Sequence, residues 1–505
     1  MMRILFFQRG LGCSAPLHRC LLRSGLPILL LTLARICGWP QSLEIRHVTI
    51  IDATGRPPQP NRTVVVRGGL IVSVRPSKKE HIPKGTVTVD GTGRYLIPGL
   101  WDMHVHGASD DRAPWSDLLF VANGVVGVRD MSGPPDAHAW RATQVSKAAP
   151  APAIFLGSPI VDGPNPVWPD SLVAGDEARG REIVDQQQQN GASFIKVYSR
   201  LQRNVYFAIA DEANRRGIPF EGHVPESVTA AEASNAGQKS IEHLTRVADG
   251  CSREEGVIEP EFQRQEASFR APGISVAQKI DFGKEIIRLD LRIINTFDEA
   301  AAQSLFSLFV KNGTWQCPTL TLLRSQIDDP LLANDPRLKY LSKNVRAKWE
   351  AGYYQGVPPG PRTELVSLSR RQFEEAGKLV ELMYRAGVPL LAGTDTMNPQ
   401  CFPGFSIHEE LALLVDAGLP PMAALQTATR NPAQFMGQAN RRGTIEPGKI
   451  ADLVLLDKDP LAEIRNTHAI RAVVLHGKLY PRDALDAMLA RAQLMAGRPE
   501  NASHK

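Results

Sequence analysis

Hydrophobic and polar positions alternate in two regions near opposite ends of the chain. The first, residues 43–97, contains LEIRHVTIID, TVVVRGGLIVSVRP and TVTVDGTGRYLIPG. The second, residues 438–480, contains GTIEPGKIADLVLLD and IRAVVLHGKLY. Such alternation, interrupted at close spacing by Gly and Pro, predicts short antiparallel strands. We therefore expect one small β-sandwich domain composed of these N- and C-terminal segments.

Between these regions, residues 98–437 alternate short apolar runs with amphipathic helical stretches. Eight strands, each followed by a helix, close a (β/α)8 TIM barrel. The predicted fold class is therefore α/β, a barrel inserted into the small β-sandwich. Polar helices in residues 250–300 and 325–375 are expected at its rim, either as a lid or as solvated outer helices. The eight candidate strands are GLWDMHVH, GVVGVRDM, APAIFLG, SFIKVYS, IPFEGHV, SIEHL, TWQCPTLTL and VPLLAGTD.

The two terminal segments differ from the rest of the chain. In residues 1–42, several arginines precede the short apolar run GLPILLLTLA, an arrangement typical of a secretory signal peptide. The run is too short to cross a bilayer, which takes about 20 residues. We expect a protein exported to the periplasm or secreted, with an uncleaved membrane anchor as the alternative. Residues 481–505 predict a C-terminal helical tail.

Composition narrows the classes of function. Of 505 residues, 43% are hydrophobic and 22% charged, as in a folded globular protein. The net charge of +5 is small for this length, and no basic run predicts binding to nucleic acid. Removal of the N-terminal segment would leave Cys251, Cys317 and Cys401, which are too widely spaced for a disulfide framework or a zinc ribbon.

Residues of metal-ligand type end five of the eight candidate strands. Side chains two positions apart on a strand share a face, and the carboxyl ends of barrel strands meet at one rim. Each residue alone has an ordinary explanation, such as a core histidine, a paired lysine or a helix-capping aspartate. Together at one rim they predict a metal site. The six residues are His104, His106, Lys196, His223, His243 and Asp395.

Lys196 needs additional chemistry to serve in such a site. An ammonium group cannot bind a cation, and burying it without a partner is costly. A lysine carboxylated by carbon dioxide is instead an anionic ligand with two oxygens, able to bridge two cations. The alternative is a lysine paired with a carboxylate across the barrel.

These motifs resemble those of the amidohydrolase superfamily. IPGLWDMHVH is similar to its first-strand motif, FIKVY to the segment with its carboxylated lysine, GHV and IEHL to its later histidine strands, and AGTD to its eighth-strand aspartate. EELALLVDAGLPPMAALQTATRNPAQFMG and then GTIEPGKIADLVLLDKDPL resemble its closing helices and return to the β domain. Over roughly residues 43–480 the chain looks most like the imidazolonepropionase-like and Xaa-Pro dipeptidase-like branch, which uses two metals.

The resemblance implies a role for each ligand. His104 and His106 would bind the more buried cation, His223 and His243 the second, and Lys196 would bridge both as a carbamate. Asp395 would bind the first cation and transfer protons. The implied reaction is cleavage of a C–N amide bond by a hydroxide that bridges two divalent ions. Zinc is the expected metal, with manganese and cobalt as alternatives.

Substrate contacts are less well defined, and the candidate substrates are a dipeptide, an N-acyl amino acid or a cyclic amide. Tyr198 either hydrogen-bonds the substrate or fills the barrel mouth. Arg129 and Arg200 are either carboxylate clamps or structural residues. SPIVDGPNPVWPDS departs from the Gly-Gly-His element of many relatives, so Trp168 either lines an apolar substrate site or packs the loop.

Two other functions stay open at this point. The same site would also attack a lactone or an ester, and a barrel that has lost catalysis would serve as a binding scaffold. The expected partner is a small-molecule substrate. Assembly into a homo-oligomer and membrane contact through an uncleaved N-terminal segment are further alternatives.

Overall fold

The computed structural model describes residues 42–79, 81–107, 115–145, 150–269, 275–327, 334–351 and 359–497. The predicted export segment, apart from residue 42, lies outside the described residues, as do the last eight residues of the predicted tail. Within these ranges, no helix combines the length and apolar character needed to cross a membrane.

The strands fall into one mostly antiparallel sheet and two parallel sheets. In chain order they are β1 (Leu43–Ile50), β2 (Gln59–Arg67), β3 (Leu70–Pro76), β4 (Val87–Asp90), β5 (Tyr95–Pro98), β6 (Leu100–Val105), β7 (Val125–Asp130), β8 (Ala153–Leu156), β9 (Ile160–Asp162), β10 (Leu172–Val173), β11 (Ile195–Val197), β12 (Phe220–Gly222), β13 (Ser240–Glu242), β14 (Trp315–Cys317), β15 (Leu453–Leu456), β16 (Ile470–Leu475) and β17 (Lys478–Pro481).

Helices cover the parallel sheets and connect their strands. They are α1 (Trp115–Ala122), α2 (Ala137–Val145), α3 (Glu177–Gln189), α4 (Arg203–Arg216), α5 (Ala230–Asn235), α6 (Val247–Gly250), α7 (Glu255–Phe269), α8 (Val276–Asn295), α9 (Glu299–Asn312), α10 (Leu320–Ser325), α11 (Lys343–Ala351), α12 (Pro359–Ala386), α13 (Ser406–Asp416), α14 (Pro421–Thr427), α15 (Arg430–Phe435) and α16 (Arg482–Ala496), with short 3-10 helices at Pro336–Tyr340 and Ile464–His468.

The eight-stranded sheet joins the two ends of the described chain. Its order is β17-β16-β15-β5-β1-β2-β3, and β4 pairs with β1 beside β5. β5 and β15 pair antiparallel, with Ile97 opposite Val454. Alternating apolar side chains of these strands pack into a separate hydrophobic cluster. The strands form one branched sheet, so the two packed layers of a sandwich stay a prediction, as do the domain boundaries.

The parallel strands form a three-stranded sheet, β6-β7-β8, and a six-stranded sheet, β10-β9-β11-β12-β13-β14. The gap between them lies at the end of the third predicted strand, APAIFLG. β8 pairs with β7 and β9 pairs with β11, while Gly157, Ser158 and Pro159 lie between β8 and β9. Proline lacks the amide hydrogen that a ladder needs, which accounts for the break. Even so, Ser158 donates its backbone N–H to Phe194, next to β11.

The eighth predicted strand, VPLLAGTD, is not a regular strand. It makes isolated parallel bridges from Leu390 to Gln316 and from Thr396 to Val105. Asp395 has a φ of 55°, which ends the extended conformation. Backbone hydrogen bonds nevertheless link this segment to β14 on one side and to β6 on the other.

Two further differences concern the ends of strands. TWQCPTLTL is a strand only as far as Cys317, because Pro318 follows and Thr319 has a φ of 49° before α10 begins. The loop SPIVDGPNPVWPDS contains β9 and β10, which the sequence did not predict. Strands of two or three residues among Gly and Pro leave too short a pattern to detect.

Candidate metal centre

The site lies where the carboxyl ends of the parallel strands meet. His104 is on β6 and His106 follows it, Lys196 is on β11, and His223 and His243 directly follow β12 and β13. Asp395 belongs to the irregular segment that is hydrogen-bonded to β6, where its backbone N–H donates to the His104 carbonyl at 2.8 Å.

Asp395 is in contact with histidines from two strands. Its Oδ1 lies 3.0 Å from Nε2 of His106 and 3.5 Å from Nε2 of His104, and its Oδ2 lies 3.7 Å from Nε2 of His243. The rings of His223 and His243 have centroids 4.9 Å apart. Ligand atoms of His104, His106 and Asp395 are close enough together to hold one metal ion.

Glycines allow the close approach of backbones in this region. A Cβ on Gly393 would lie 2.6 Å from Sγ of Cys317 and 2.8 Å from Cβ of His104. Gly222, with a φ of 133°, brings the chain against Val197 and Lys196 just before His223. A larger residue at either position would displace ligand-bearing strands.

Three histidines have Nδ1 occupied by another side chain. Nδ1 of His104 lies 2.7 Å from Oε2 of Glu242, that of His223 lies 2.9 Å from Oγ of Ser199, and that of His243 lies 2.6 Å from Oγ1 of Thr319. This arrangement is typical of metal-binding histidines, because the held ring directs its other nitrogen toward the cation.

Buried polar atoms without hydrogen-bond partners indicate whether a cation fits the site. Among the described residues, Nε2 of His104, Oδ1 of Asp395 and Nζ of Lys196 are buried without a hydrogen-bond partner. A lone pair on His104 Nε2 and a carboxylate oxygen would then face each other at 3.5 Å. Two buried acceptors this close are unfavourable unless a cation or a proton lies between them. The donor set of imidazoles and a carboxylate fits zinc, manganese or cobalt.

Electrostatics favours neutral imidazoles. Burial, with the nearby charge of Lys196, holds the pKa of His104 and of His223 well below the usual value. Burial also lowers the pKa of His243 to about 4, although Asp395 opposes the shift. Neutral imidazole is the form that binds a metal.

Lys196 is fully buried, and burial lowers the pKa of its amine to about 8, opposed by the charges of Glu242 and Asp395. The lowered pKa increases the unprotonated fraction of the amine near neutral pH. An unprotonated amine is nucleophilic, which is the property that carboxylation by carbon dioxide requires.

Two of the predicted substrate residues adjoin the site. The Tyr198 ring stacks on His223 with centroids 3.9 Å apart, and Trp168 donates its indole N–H to the Tyr198 hydroxyl at 3.0 Å. Buried Asp162 holds the Trp168 loop by accepting backbone hydrogen bonds from Gly163 and Val167.

The two arginines do not have the surroundings of substrate clamps. Arg129 is fully buried, and its guanidinium donates to Glu221, Ser240, Glu242 and the Met103 carbonyl. It is therefore a structural residue beneath the ligands. Arg200 donates from its side chain to the Asn165 carbonyl, so it supports the Trp168 loop.

The residues that support the ligands were not predicted from the sequence. Glu221 and Glu242 each precede a ligand histidine within an apolar strand, and an unexplained carboxylate there was the available signal. Ser199 and Thr319 carry no comparable signal, because hydroxyl side chains are common in loops.

The chain is similar to known proteins in both sequence and structure. The model of the Amidohydrolase family matches residues 356–480. An imidazolonepropionase of Syntrophobacter fumaroxidans is 34% identical over 125 residues, which are 24% of this chain and 26% of that protein. An adenine deaminase of Methanothrix thermoacetophila is 30% identical over 107 residues, 21% of this chain and 17% of that protein. The chain thus matches about a quarter or less of the length of these two relatives.

Similarity to solved structures extends over nearly the whole chain. A bottromycin amidohydrolase has a TM-score of 0.66 and 22% identity, with 91% of each chain covered. A Xaa-Pro dipeptidase with methionine bound in its active site has a TM-score of 0.60 and 19% identity, covering 87% of this chain and all of that one. The family model thus matches one part of the chain, residues 356–480, and the two solved structures show that the chain shares their fold.

Proposed function

We propose that the protein is a binuclear metal-dependent hydrolase that cleaves a C–N amide bond in a small molecule. The observation that carries the proposal is the pair formed by His104 Nε2 and Asp395 Oδ1, two buried atoms 3.5 Å apart, neither of which has a hydrogen-bond partner among the described residues. The similarity to amidohydrolases and to a Xaa-Pro dipeptidase supports amide cleavage.

The proposal includes a closed (β/α)8 barrel as the scaffold. β8 and β9 together would be its third strand, broken at residues 157–159, and residues 389–396 its eighth. Backbone hydrogen bonds support this closure, since Ser158 donates to Phe194, Leu391 to Gln316 and Met103 to Ala392. The site would then lie at the carboxyl end of the barrel, where catalytic residues of this fold collect.

Six residues would hold the metal ions. His104, His106 and Asp395 would bind the first cation, His223 and His243 the second, and Lys196 would bridge them as a carbamate. When bound, two divalent cations lower the pKa of a water molecule and polarise the carbonyl under attack. Carboxylation of Lys196 joins the amine nitrogen to the carbon of carbon dioxide and releases one proton, which leaves an anionic ligand.

Asp395 would carry the proton during the reaction. Its carboxylate contacts His106 and His243, so it is held between the two groups of ligands. From this position it would accept a proton from the attacking water and deliver it to the leaving nitrogen. The amine would depart as a neutral molecule, because protonation accompanies cleavage of the C–N bond.

Tyr198 and Trp168 would form one wall of the substrate site. The Tyr198 hydroxyl accepts from the indole, so its own hydrogen is available as a donor. Trp168 is partly exposed and supplies an apolar face. A dipeptide, an N-acyl amino acid or a cyclic amide with an apolar group would fit this wall.

The test combines metal analysis with a substrate panel. Purified protein should contain about two divalent cations per chain and hydrolyse members of a panel of dipeptides, N-acyl amino acids and cyclic amides. The Asp395→Asn variant should lose about 10²- to 10⁴-fold in kcat, the usual contribution of a general acid–base group. Cleavage of lactones or esters alone would replace amide hydrolysis by esterase chemistry. If the protein binds no cations and shows no turnover after zinc or manganese is supplied with bicarbonate, the remaining hypothesis is a binding scaffold without catalysis.

Export stays part of the proposal and rests on the sequence of residues 1–42. Expression of the full chain in a bacterium with a periplasm, followed by fractionation and N-terminal sequencing, checks it. A protein recovered intact from the cytoplasm would contradict export, and an intact protein in the membrane fraction would support the anchor.

A further inference from the structure

We propose that Glu242, held by Arg129, is the positioning residue that fixes the orientation and tautomer of His104 for metal binding. The inference rests on the proposed function, because it assigns a role to residues behind the metal ligands. Neither Glu242 nor Arg129 would contact substrate.

Glu242 lies in a fully buried network beneath the site. Its carboxylate accepts from the Arg129 guanidinium through both oxygens, at 2.9 and 2.8 Å, and from the Ser240 hydroxyl. Arg129 also donates to Glu221 at 2.8 Å. Arg129, Glu221 and Glu242 each have no exposed surface. Charged groups at this depth persist only when they are paired and hydrogen-bonded, as they are here.

The pairing with Arg129 determines the proton on His104. Both oxygens of Glu242 accept hydrogen bonds from the Arg129 guanidinium, and a carboxylate paired in this way can only accept hydrogen bonds. At 2.7 Å, Nδ1 of His104 must therefore carry the hydrogen, so Nε2 keeps its lone pair. Nε2 lies 3.5 Å from Oδ1 of Asp395. Glu242 thus turns a buried histidine into a metal ligand with the required tautomer.

The other two held histidines differ in the chemistry of their partners. His223 and His243 contact the hydroxyls of Ser199 and Thr319, which can donate or accept and so do not impose one tautomer. A carboxylate also makes the imidazole more basic, whereas a hydroxyl does so less. The structure assigns the stronger donor to His104, so the cation at His104 should be the more tightly bound.

Glu221 offers a matched control for Glu242. Both carboxylates are fully buried on adjacent strands and both pair with Arg129, but of the two only Glu242 contacts a histidine in the described structure. Glu242→Gln and Glu221→Gln each replace one carboxyl group of the same network by an amide. Any loss that comes only from disturbing Arg129 should therefore appear in both variants.

The experiment titrates metal-free wild-type, Glu242→Gln and Glu221→Gln proteins with Co²⁺ against a competing chelator, following the cobalt absorption spectrum. Affinity for the first Co²⁺ should fall about 10- to 100-fold in Glu242→Gln and stay close to wild type in Glu221→Gln. Equal affinities in all three proteins, or equal losses in both variants, would overturn the inference while wild-type binding still supports the proposed function. A wild-type protein that binds no Co²⁺ would instead remove the proposed function.

Thermal unfolding of the metal-free proteins separates folding from metal binding. If Glu242→Gln does not fold, nitrogen NMR of histidine-labelled wild-type protein decides the question. The inference requires the hydrogen of His104 on Nδ1, and a hydrogen on Nε2 would overturn it.

Discussion

Trp168 donates its indole N–H to the Tyr198 hydroxyl, and Tyr198 in turn stacks on the ligand histidine His223. The loop and the candidate metal centre are therefore connected by two side chains. Through Tyr198, Trp168 of this irregular loop is linked to the candidate metal centre. Its contribution to activity can therefore be measured by substitution.

The first prediction concerns this hydrogen bond. Trp168→Phe keeps an aromatic face but removes the donor, so the Tyr198 hydroxyl loses its fixed orientation. We expect kcat/KM on the best amide substrate to fall about 3- to 10-fold, the value of one hydrogen bond. Trp315→Phe, at the start of β14 against Phe435, is the control and should change kcat/KM little. Equal kcat/KM in Trp168→Phe and wild type would show that the bond does not serve catalysis.

The second prediction concerns Lys196. Protein stripped of metal should recover both cations and activity only when bicarbonate is supplied, because the carbamate forms from carbon dioxide. Lys196→Met keeps an apolar chain of similar length but should bind fewer than two cations and should not respond to bicarbonate. Elemental analysis measures the cation content.

Lys239 is the matched control for Lys196, since it is a half-buried lysine that lies over Phe435. Lys239→Met should retain the bicarbonate response. Full cation content in Lys196→Met would contradict a bridging carbamate.

The third prediction concerns stability in acid. Burial lowers the pKa of His408 to about 3, and the neighbouring His468 adds to the shift. Below its ordinary value of 6.5 the imidazole gains a proton in the unfolded chain but not in the folded one. The free energy of unfolding therefore falls as pH decreases through this window, by at most about 1.4 kcal/mol per pH unit for this group.

His408→Gln should flatten that dependence, as measured by urea unfolding at a series of pH values. His81→Gln, at an exposed position, should leave the slope unchanged. Parallel slopes for His408→Gln and wild type would show that other groups cause the acid sensitivity.

The fourth prediction uses two glycines. A Cβ on Gly127 of β7 would lie 2.2 Å from the Trp101 ring, so Gly127→Ala should lower the free energy of unfolding by about 1–3 kcal/mol. A Cβ on Gly377 of α12 would meet only Ala417, at 3.9 Å, so Gly377→Ala should raise stability by up to about 1 kcal/mol. Thermal unfolding compares them, and a stable Gly127→Ala would contradict the packing around Trp101.

The parallel strands were predictable because their apolar runs are strong signals. The apolar runs that contain His104 and Lys196 form strands β6 and β11. Those that precede His223 and His243 form strands β12 and β13, and each histidine directly follows its strand. The irregular eighth segment was not predictable as such, because its shape depends on the φ of Asp395 and on contacts with β6 and β14. Local pattern does not contain such long-range information.

The candidate site was predicted in part. Residues of ligand type were predicted because they end strands, and the structure brings His104, His106 and Asp395 close enough together to hold one ion. Of the two alternatives for Arg129, its pairing with Glu221 and Glu242 supports the structural role, and the sequence does not show that these two carboxylates face the same interior. Which charges pair inside a closed core depends on strand register, and that register is set only by the complete fold.

The pairing of β5 with β15 has a consequence for biosynthesis. These strands are separated by more than three hundred and fifty residues, so during translation β5 emerges long before its partner exists. Until then its edge offers unpaired amide and carbonyl groups to other chains. A ribosome that stops before Leu453 would release a polypeptide with this edge exposed and prone to self-association. Completion of the sheet thus depends on strands that are made more than three hundred and fifty residues after β5.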